Sequence, residues 1–230
     1  MKIPLFDIDW TLLKGGNKAH ADAFDYAMKI VYGVNASERE IVPDGMIDNQ
    51  IIIEVLKLHN IPTEEVKKKL PQATKVMSTY FMEHYGEGES VPLKGAKEIL
   101  VTLKEKKIPL GVLTGNVEKI GWQKLEIAGL KQYIDFGAFG NMAFHRPDLI
   151  PIAQEQANEV YDKLFPIEDF VIIGDSPRDV ACAKAGGIKS LAVASGNYSK
   201  EELITVGADL VIESLEQQEE IFAFLELPEY

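Results

Sequence analysis

The sequence predicts an α/β protein with a parallel sheet and a block of helices inserted near its N-terminal end. Short, branched apolar segments alternate with amphipathic helical segments over most of the chain. About eighty residues after the first apolar segment are instead helical throughout, and polar residues directly follow three of the apolar segments. Strands buried on both faces appear as short continuous apolar runs, and their alternation with helices is typical of a parallel sheet.

Five apolar segments are bounded by glycine, proline or polar residues, as buried strands usually are. They cover residues 3–6, 110–113, 170–173, 190–193 and 210–212. The helices predicted between the later strands cover residues 96–106, 117–128, 148–163 and 177–185.

The helical block that follows the first strand contains three predicted helices with clear boundary signals. Gly33-Val34-Asn35 and Asn60-Ile61-Pro62 end helices, and Thr63-Glu64-Glu65 begins one. The helices cover residues 18–32, 47–59 and 63–85, and the flanking linkers cover 13–17 and 86–92. Because both linkers contain glycine, we expect the block to act as a lid on a hinge.

Composition excludes several classes of protein. The net charge is −12, and nine acids but no Lys or Arg follow Lys200, so a nucleic acid partner is not expected. No apolar run approaches the ~18 residues of a membrane span, so no membrane association is expected. The single cysteine, Cys182, excludes a disulfide framework. With no signal-like segment before the first strand, these features predict a cytoplasmic protein.

Polar residues stand where three predicted strands end. Residues 7–12 follow the first strand, residues 114–116 follow the second, and residues 174–179 follow the third. Carboxyl ends of parallel strands meet at one edge of a sheet, where ligands bind in open α/β folds. The sequence therefore predicts a binding site at this edge.

The chemistry of these residues favours a cation and a phosphate. Four carboxylates near one point require a cation, and hard oxygen ligands favour Mg²⁺ or Ca²⁺ over zinc. A helix that begins directly after Thr114-Gly115-Asn116 offers free N–H groups to an anion. Arg146, on a loop before a helix, is the candidate cation for the phosphate. The four carboxylates belong to Asp7, Asp9, Asp175 and Asp179.

These motifs resemble those of the haloacid dehalogenase-like hydrolases. Residues 6–12 (FDIDWTL) are similar to the nucleophile motif of that family, 113–116 (LTGN) to its second motif and 173–179 (IGDSPRD) to its acidic fourth motif. The helical block is similar to a cap of the first type, as in the phosphoglycolate phosphatase-like branch. The resemblance implies a Rossmann-like core domain of residues 1–13 and 94–230 and a helical cap domain of residues 14–93.

The resemblance also implies a role for each motif residue. Asp7 would form an aspartyl-phosphate, and Asp9 would first protonate the leaving group and then activate water. Thr114 and Arg146 would hold the transferring phosphoryl group. Mg²⁺ would bind Asp7, the carbonyl of Asp9, Asp175 and, through water, Asp179. The residues expected to contact phosphate are Trp10, Thr11, Thr114, Gly115, Asn116 and Arg146.

Two residues depart from the family pattern. Trp10 stands where the family usually has glycine, and Arg146 stands where many relatives have lysine. We expect the backbone N–H of Trp10 to face the phosphate and its indole to pack toward the cap, where it narrows the pocket. Arg146 keeps the positive charge, and Pro147 after it fits the family pattern.

The function implied is Mg²⁺-dependent hydrolysis of a small phosphorylated metabolite by a monomer or homodimer. Asp9 argues against a dehalogenase, which needs only the nucleophile. A sugar phosphomutase of the same family would keep every core residue and remains an alternative. A phospho-accepting receiver or regulatory module is a second alternative, although receivers lack an eighty-residue insertion after the first strand. Substrate selection is expected in the cap, where the loop of residues 43–48 joins two helices.

Overall fold

The computed structural model describes residues 1–86 and 88–227. Glu87, in the second predicted linker, and residues 228–230, at the end of the acidic segment, lie outside the described residues. Six parallel strands form one sheet in the order β3-β2-β1-β4-β5-β6. This confirms the predicted α/β class. The strands are β1 (Ile3–Phe6), β2 (Gly111–Thr114), β3 (Phe136–Phe139), β4 (Phe170–Gly174), β5 (Lys189–Val193) and β6 (Leu210–Ile212).

Helices cover both faces of the sheet, and three of them form the insertion between β1 and the rest of the core. The helical insertion consists of α1 (Lys18–Tyr32), α2 (Asp48–Leu58) and α3 (Thr63–His84). The remaining helices are α4 (Ala96–Glu105), α5 (Glu118–Ile127), α6 (Leu149–Tyr161), α7 (Pro177–Ala185), α8 (Lys200–Thr205) and α9 (Gln218–Phe224).

Strand β3 is absent from the sequence-based prediction. Its sequence, Phe-Gly-Ala-Phe, contains no β-branched residue, and its two central residues have small side chains that give little strand signal. The small residues are needed because a Cβ at Gly137 would overlap the side chains of Phe139 and Val112. Gly111 on β2 is constrained in the same way, since a Cβ there would overlap the ring of Phe136.

The helical insertion has a hydrophobic core of its own. Met28 on α1, Val55 on α2 and Phe81 on α3 are fully buried in one cluster. The same cluster includes Val117 and Ile120 at the start of α5, so the insertion also packs on the sheet domain. The division into a core of residues 1–13 and 94–230 and a cap of residues 14–93 stays a prediction.

The loop that leads into α2 lies directly on the carboxyl edge of the sheet. The backbone N–H of Asp48 donates to the carbonyl of Gly115 over 2.8 Å. The amide of Asn49 donates to the carbonyl of Ala143 over 3.0 Å. A Cβ at Gly115 would overlap the carbonyl of Met46, so the two backbones touch. The loop of residues 43–48 therefore reaches the carboxyl edge of the sheet.

Among the described residues, no helix has both the length and the apolar character that crossing a membrane requires.

Replacing Phe139 by alanine is expected to lower the free energy of unfolding by about 3–5 kcal/mol, because the ring is buried against Gly121 and Trp122 of α5. Phe144→Ala is the matched control, since that ring is 46% exposed and the change should cost less than about 1 kcal/mol. Denaturant unfolding of both variants measures the difference. Equal losses would contradict the assignment of Phe139 to the core.

Candidate active site

Three strands deliver their polar residues to one cavity. Asp7 follows β1, Thr114 is the last residue of β2, and Asp175 follows β4. The three strands are parallel neighbours, so their carboxyl ends lie side by side. The helical insertion covers this edge and leaves a cavity of about 560 Å³, which residues of both the sheet domain and the insertion line.

The carboxylates of Asp7, Asp175 and Asp179 are buried, and each offers an oxygen within 4.8 Å of the others. Such a set of hard oxygen atoms fits a divalent cation such as Mg²⁺. Asp179 is already engaged, because its Oδ2 accepts from the backbone N–H and the hydroxyl of Ser176 over 3.0 and 2.6 Å. Its Oδ1 accepts from Arg146. Asp7 and Asp175 are thus better placed for direct coordination, and Asp179 for a contact through water.

The acidic cluster holds protons strongly when no cation is bound. The pKa of Asp7 is raised to about 7. Burial is the main cause and repulsion from Asp179 and Asp9 adds to it, whereas the attraction of Arg146 acts in the opposite direction. Burial likewise raises the pKa of Asp175 to about 9, with further repulsion from Asp179 and Asp7. A cation among these groups would favour their ionised forms.

Arg146 supplies the positive charge of this cluster. It begins a short 3₁₀ turn before α6, and its guanidinium is buried. One nitrogen lies 2.5 Å from Asp179 Oδ1 and 3.3 Å from Asp7 Oδ1. Burial alone would lower the pKa of Arg146, but the attraction of these two carboxylates outweighs it and raises the pKa. Another nitrogen donates to the carbonyl of Gly45 over 3.0 Å, which ties the site to the insertion.

The carboxylate of Asp9 is held apart from the cluster by a second cation. Lys124 on α5 donates to both oxygens of Asp9 over 2.9 and 2.7 Å. Asn116 donates its side-chain amide to the same carboxylate over 2.9 Å. Burial raises the pKa of Asp9, but the attraction of Lys124 and His20 exceeds it, so the pKa lies below its ordinary value.

Residues 114–116 line the cavity, as predicted for a phosphate site. The hydroxyl of Thr114 accepts from the side-chain amide of Asn116 over 2.7 Å and from its backbone N–H over 3.4 Å. The hydroxyl hydrogen of Thr114 is therefore directed to another acceptor. Gly115 allows the loop before α2 to approach, because any side chain there would overlap Met46.

Trp10 is placed only partly as the sequence predicts. Its backbone N–H donates to the carbonyl of Leu13 over 2.7 Å, so the expectation that this group faces a phosphate is wrong. The residue takes a left-handed conformation with φ of 60°, which closes the turn. Its indole lines the cavity and packs on Gly15, where a Cβ would overlap the ring. The side chain thus narrows the pocket beside the first linker, as expected.

Two other predicted residues do not line the cavity. Thr11 is fully buried, and its hydroxyl has no hydrogen-bond partner within the described part of the chain. Asp179 lies behind Arg146 and Ser176. The expected phosphate contact of Thr11 is therefore not supported by its position.

Comparison with known proteins places this site in a family. The profile described as haloacid dehalogenase-like hydrolase matches residues 4–193. The chain belongs to the haloacid dehalogenase-like hydrolases. This confirms the resemblance carried by the motifs, identifies an enzyme of the hydrolase class, and argues against the receiver alternative.

The relatives of this haloacid dehalogenase-like hydrolase are named as phosphatases. A provisional pyrophosphatase, PpaX, from Caldanaerobacter subterraneus is 26% identical over 192 residues, covering 82% of this chain and 80% of that protein. A phosphoglycolate phosphatase from Rhodospirillum rubrum is 33% identical over 142 residues. This match covers 59% of this chain and only 56% of the relative's length. The chain is thus similar to members of its family that are named as phosphatases.

Solved structures share the fold over nearly the whole chain. A predicted phosphatase from Clostridium acetobutylicum superimposes with a TM-score of 0.68 at 24% identity, covering 98% of this chain and 99% of the other. A provisionally named β-phosphoglucomutase from Bacteroides vulgatus gives a TM-score of 0.66 at 20% identity, with coverage of 98% and 89%. At these identities the comparison establishes the fold alone, which both reaction classes share.

Sequence reasoning missed Lys124 and His20 and included their neighbour Asp48 only as the end of the loop of residues 43–48. All three line the cavity, and they form a hydrogen-bonded chain from Asp9 to the insertion. One signal was available, because Lys124 lies on the same helix face as Ile120 and Gly121, which are both buried. A lysine within an apolar stripe indicates a buried partner rather than solvent.

Mg²⁺ is expected to stabilise this hydrolase more at pH 8 than at pH 6. The pKa values of Asp7 and Asp175 are raised on folding, so without a cation the free energy of unfolding falls as the pH rises from about 4 toward 7 and 9. A cation removes this loss. In thermal melts, Mg²⁺ at about 100-fold above its dissociation constant at pH 8 should raise Tm by about 5–10 °C at that pH. The same Mg²⁺ concentration should raise Tm by less than half of that at pH 6.

The variant Asp175→Asn should abolish the Mg²⁺-dependent rise in Tm. Asp162→Asn, on an exposed turn after α6, is the matched control and should keep it. Equal rises at both pH values, or a rise retained in Asp175→Asn, would contradict a metal site at these carboxylates.

Proposed function

We propose that this chain is a Mg²⁺-dependent phosphatase that hydrolyses a small phosphomonoester through a phosphorylated Asp7. The observation that carries the proposal is the arrangement of two carboxylates with different surroundings in one cavity. Asp7 lies with Asp175 beside Arg146, whereas Asp9 lies beside Lys124. One carboxylate is thereby suited to attack phosphorus and the other to transfer a proton.

Asp7 is the nucleophile of the proposed reaction. Its oxygen attacks phosphorus, the bond to the leaving oxygen breaks, and a carboxylate nucleophile thereby divides hydrolysis into two displacements. Arg146 and the hydroxyl of Thr114 bind the phosphoryl oxygens. Asp7, the carbonyl of Asp9 and Asp175 would hold Mg²⁺, with Asp179 through water, and the cation would keep the nucleophile ionised and neutralise charge on the phosphoryl group.

Asp9 serves both displacements in turn. In the first, a bound phosphomonoester places negative charge beside Asp9 and raises its pKa, so that Asp9 takes up a proton and gives it to the leaving oxygen. An alcohol departs, and Asp9 is again a carboxylate. In the second, this carboxylate accepts a proton from water as the water oxygen attacks phosphorus. The bond between phosphorus and Asp7 then breaks, inorganic phosphate leaves, and both aspartates regain their starting states.

The cavity is of a size that suits a small phosphorylated metabolite. Its volume of about 560 Å³ lies within the usual range for small-molecule sites. The helical insertion contributes Asn17, Lys18, His20 and Arg39 to its walls, so polar groups meet the part of the substrate beyond the phosphate. The names of the relatives support phosphoglycolate and pyrophosphate as first candidates.

The cellular location and partners of the enzyme are proposed from its composition. The single cysteine, Cys182, is buried, and burial raises the pKa of its thiol to about 12, so it forms no part of a redox site. The net charge of −12 disfavours a nucleic acid partner. A cytoplasmic location and a monomeric or homodimeric state stay predictions.

Phosphate release from a substrate panel tests the proposed reaction. The panel contains 2-phosphoglycolate, pyrophosphate, β-glucose 1-phosphate and p-nitrophenyl phosphate, each with Mg²⁺ or with EDTA. We expect Mg²⁺-dependent release that falls by about 10³-fold or more in Asp7→Asn, because the nucleophile is lost. Asp162→Asn is again the matched control and should leave all rates unchanged.

Two results would contradict the proposal. Isomerisation of β-glucose 1-phosphate to the 6-phosphate without net phosphate release would indicate the phosphomutase alternative. Release that persists in Asp7→Asn or in EDTA would exclude the proposed nucleophile or its metal.

A further inference from the structure

Lys124 is buried at the junction of the sheet domain and the helical insertion, with only 2% of its surface exposed. Its ammonium group donates to three partners, namely the carboxylate of Asp9, Asn116 Oδ1 at 2.7 Å and His20 Nδ1 at 3.2 Å. An ammonium group has three hydrogens, so each has an acceptor. Burying such a cation is costly unless it is fully paired, which indicates that these contacts are needed.

The contacts of Lys124 fix the direction of the Asp9 carboxylate. Both oxygens of Asp9 lie within 2.9 Å of the lysine nitrogen, and Oδ2 also accepts from the amide of Asn116. The same carboxylate is 28% exposed and faces the cavity. Lys124 therefore sets the orientation of the Asp9 carboxylate, and the exposed part of that carboxylate stays accessible to a substrate in the cavity.

The helical insertion holds the lysine in turn. The ammonium group of Lys124 can only donate, so Nδ1 of His20 accepts its hydrogen bond. The other ring nitrogen of His20 then carries the hydrogen and donates to Asp48 Oδ2, 3.1 Å away. Asp48 Oδ2 also accepts from the backbone N–H of Val117 at the start of α5, over 2.7 Å. The chain of contacts thus begins and ends on the segment that carries Lys124, and it passes through the insertion.

We propose that Lys124 is a positioning residue that aims the carboxyl group of Asp9 at the leaving oxygen and at the attacking water. This inference rests on the proposed phosphatase reaction. Lys124 acts through Asp9, whose two oxygens it contacts, and makes or breaks no bond of the substrate itself. Its removal should therefore impair steps in which Asp9 moves a proton and spare the attack of Asp7 on a substrate whose leaving group departs without one.

A pair of substrates of similar size separates these steps. p-Nitrophenolate leaves without a proton, whereas the benzyl alkoxide of benzyl phosphate needs one. In Lys124→Met, first-turnover release of p-nitrophenolate, followed by stopped flow, should stay within about threefold of the wild type. First-turnover release of benzyl alcohol, followed by rapid quench, should fall by about 10²-fold, which is the usual contribution of a positioned acid.

Phosphate release from p-nitrophenyl phosphate gives an independent measure of the second step. Steady-state release should also fall by about 10²-fold in Lys124→Met, so that a burst of p-nitrophenolate precedes slow turnover. Lys119→Met, an exposed lysine on the same helix, is the matched control and should leave every rate unchanged. If Lys124→Met does not fold, Lys124→Gln keeps a donor to Asp9 and should show a smaller loss with the same substrate dependence.

Three results would overturn the inference. Equal losses with both substrates in a folded variant would indicate a structural role, and unchanged benzyl phosphate turnover would show that Asp9 needs no support from Lys124. If the wild type releases no phosphate from any substrate, the proposed function fails, and this inference fails with it.

Discussion

Four aspartates and two buried cations share the carboxyl edge of the sheet, and the rest of the molecule depends on their balance. Like charges repel strongly in a buried setting, which is why the pKa values of Asp7 and Asp175 are raised. Arg146 offsets part of this repulsion at Asp7 and Asp179, and Lys124 neutralises Asp9. The remaining negative charge is what makes the cluster suited to a divalent cation.

The two cations also connect the balance of charge to the docking of the helical insertion. Arg146 donates to the carbonyl of Gly45, and Lys124 donates to His20, so each cation is completed by an atom of the insertion. Lifting the insertion would expose both groups to water and return some of their hydrogen bonds to solvent. The closed arrangement of the cavity and the electrostatics of its aspartates therefore stabilise each other.

Much of the fold follows from local sequence signals. Strands β1, β4 and β6 and helices α1 and α7 are predicted from branched apolar runs, caps and glycine stops, because these signals lie within or directly beside each element. Strand β3 is different, since Gly137 is required by the ring of Phe139 and by Val112 on the neighbouring strand. A constraint of that kind arises only when two distant segments pack together, and no window of sequence contains it.

The candidate site likewise contains residues that the local sequence predicts and residues that only the tertiary structure reveals. The aspartates and Thr114 were found because strand ends place them at one edge, whatever the rest of the chain does. Lys124 was missed because its partners, Asp9 and His20, lie 115 and 104 residues away along the chain. The Trp10 backbone was misjudged for a local reason, since its left-handed conformation turns the N–H toward Leu13. Side-chain identity gives the chemistry, whereas orientation depends on the tertiary structure.

The backbone contact between Gly115 and Met46 has a consequence for how such enzymes diversify. The two backbone segments touch there, and Asp48 and His20 form hydrogen bonds with Val117 and Lys124 of the α5 segment. The insertion is therefore fitted to this particular sheet domain. An insertion from another protein, joined at the same glycine linkers, would lack the His20 acceptor for Lys124 and the loop that contacts the backbone of Gly115. Diversification by exchange of whole insertions would therefore have to preserve these contacts, whereas substitutions along the cavity wall leave them in place.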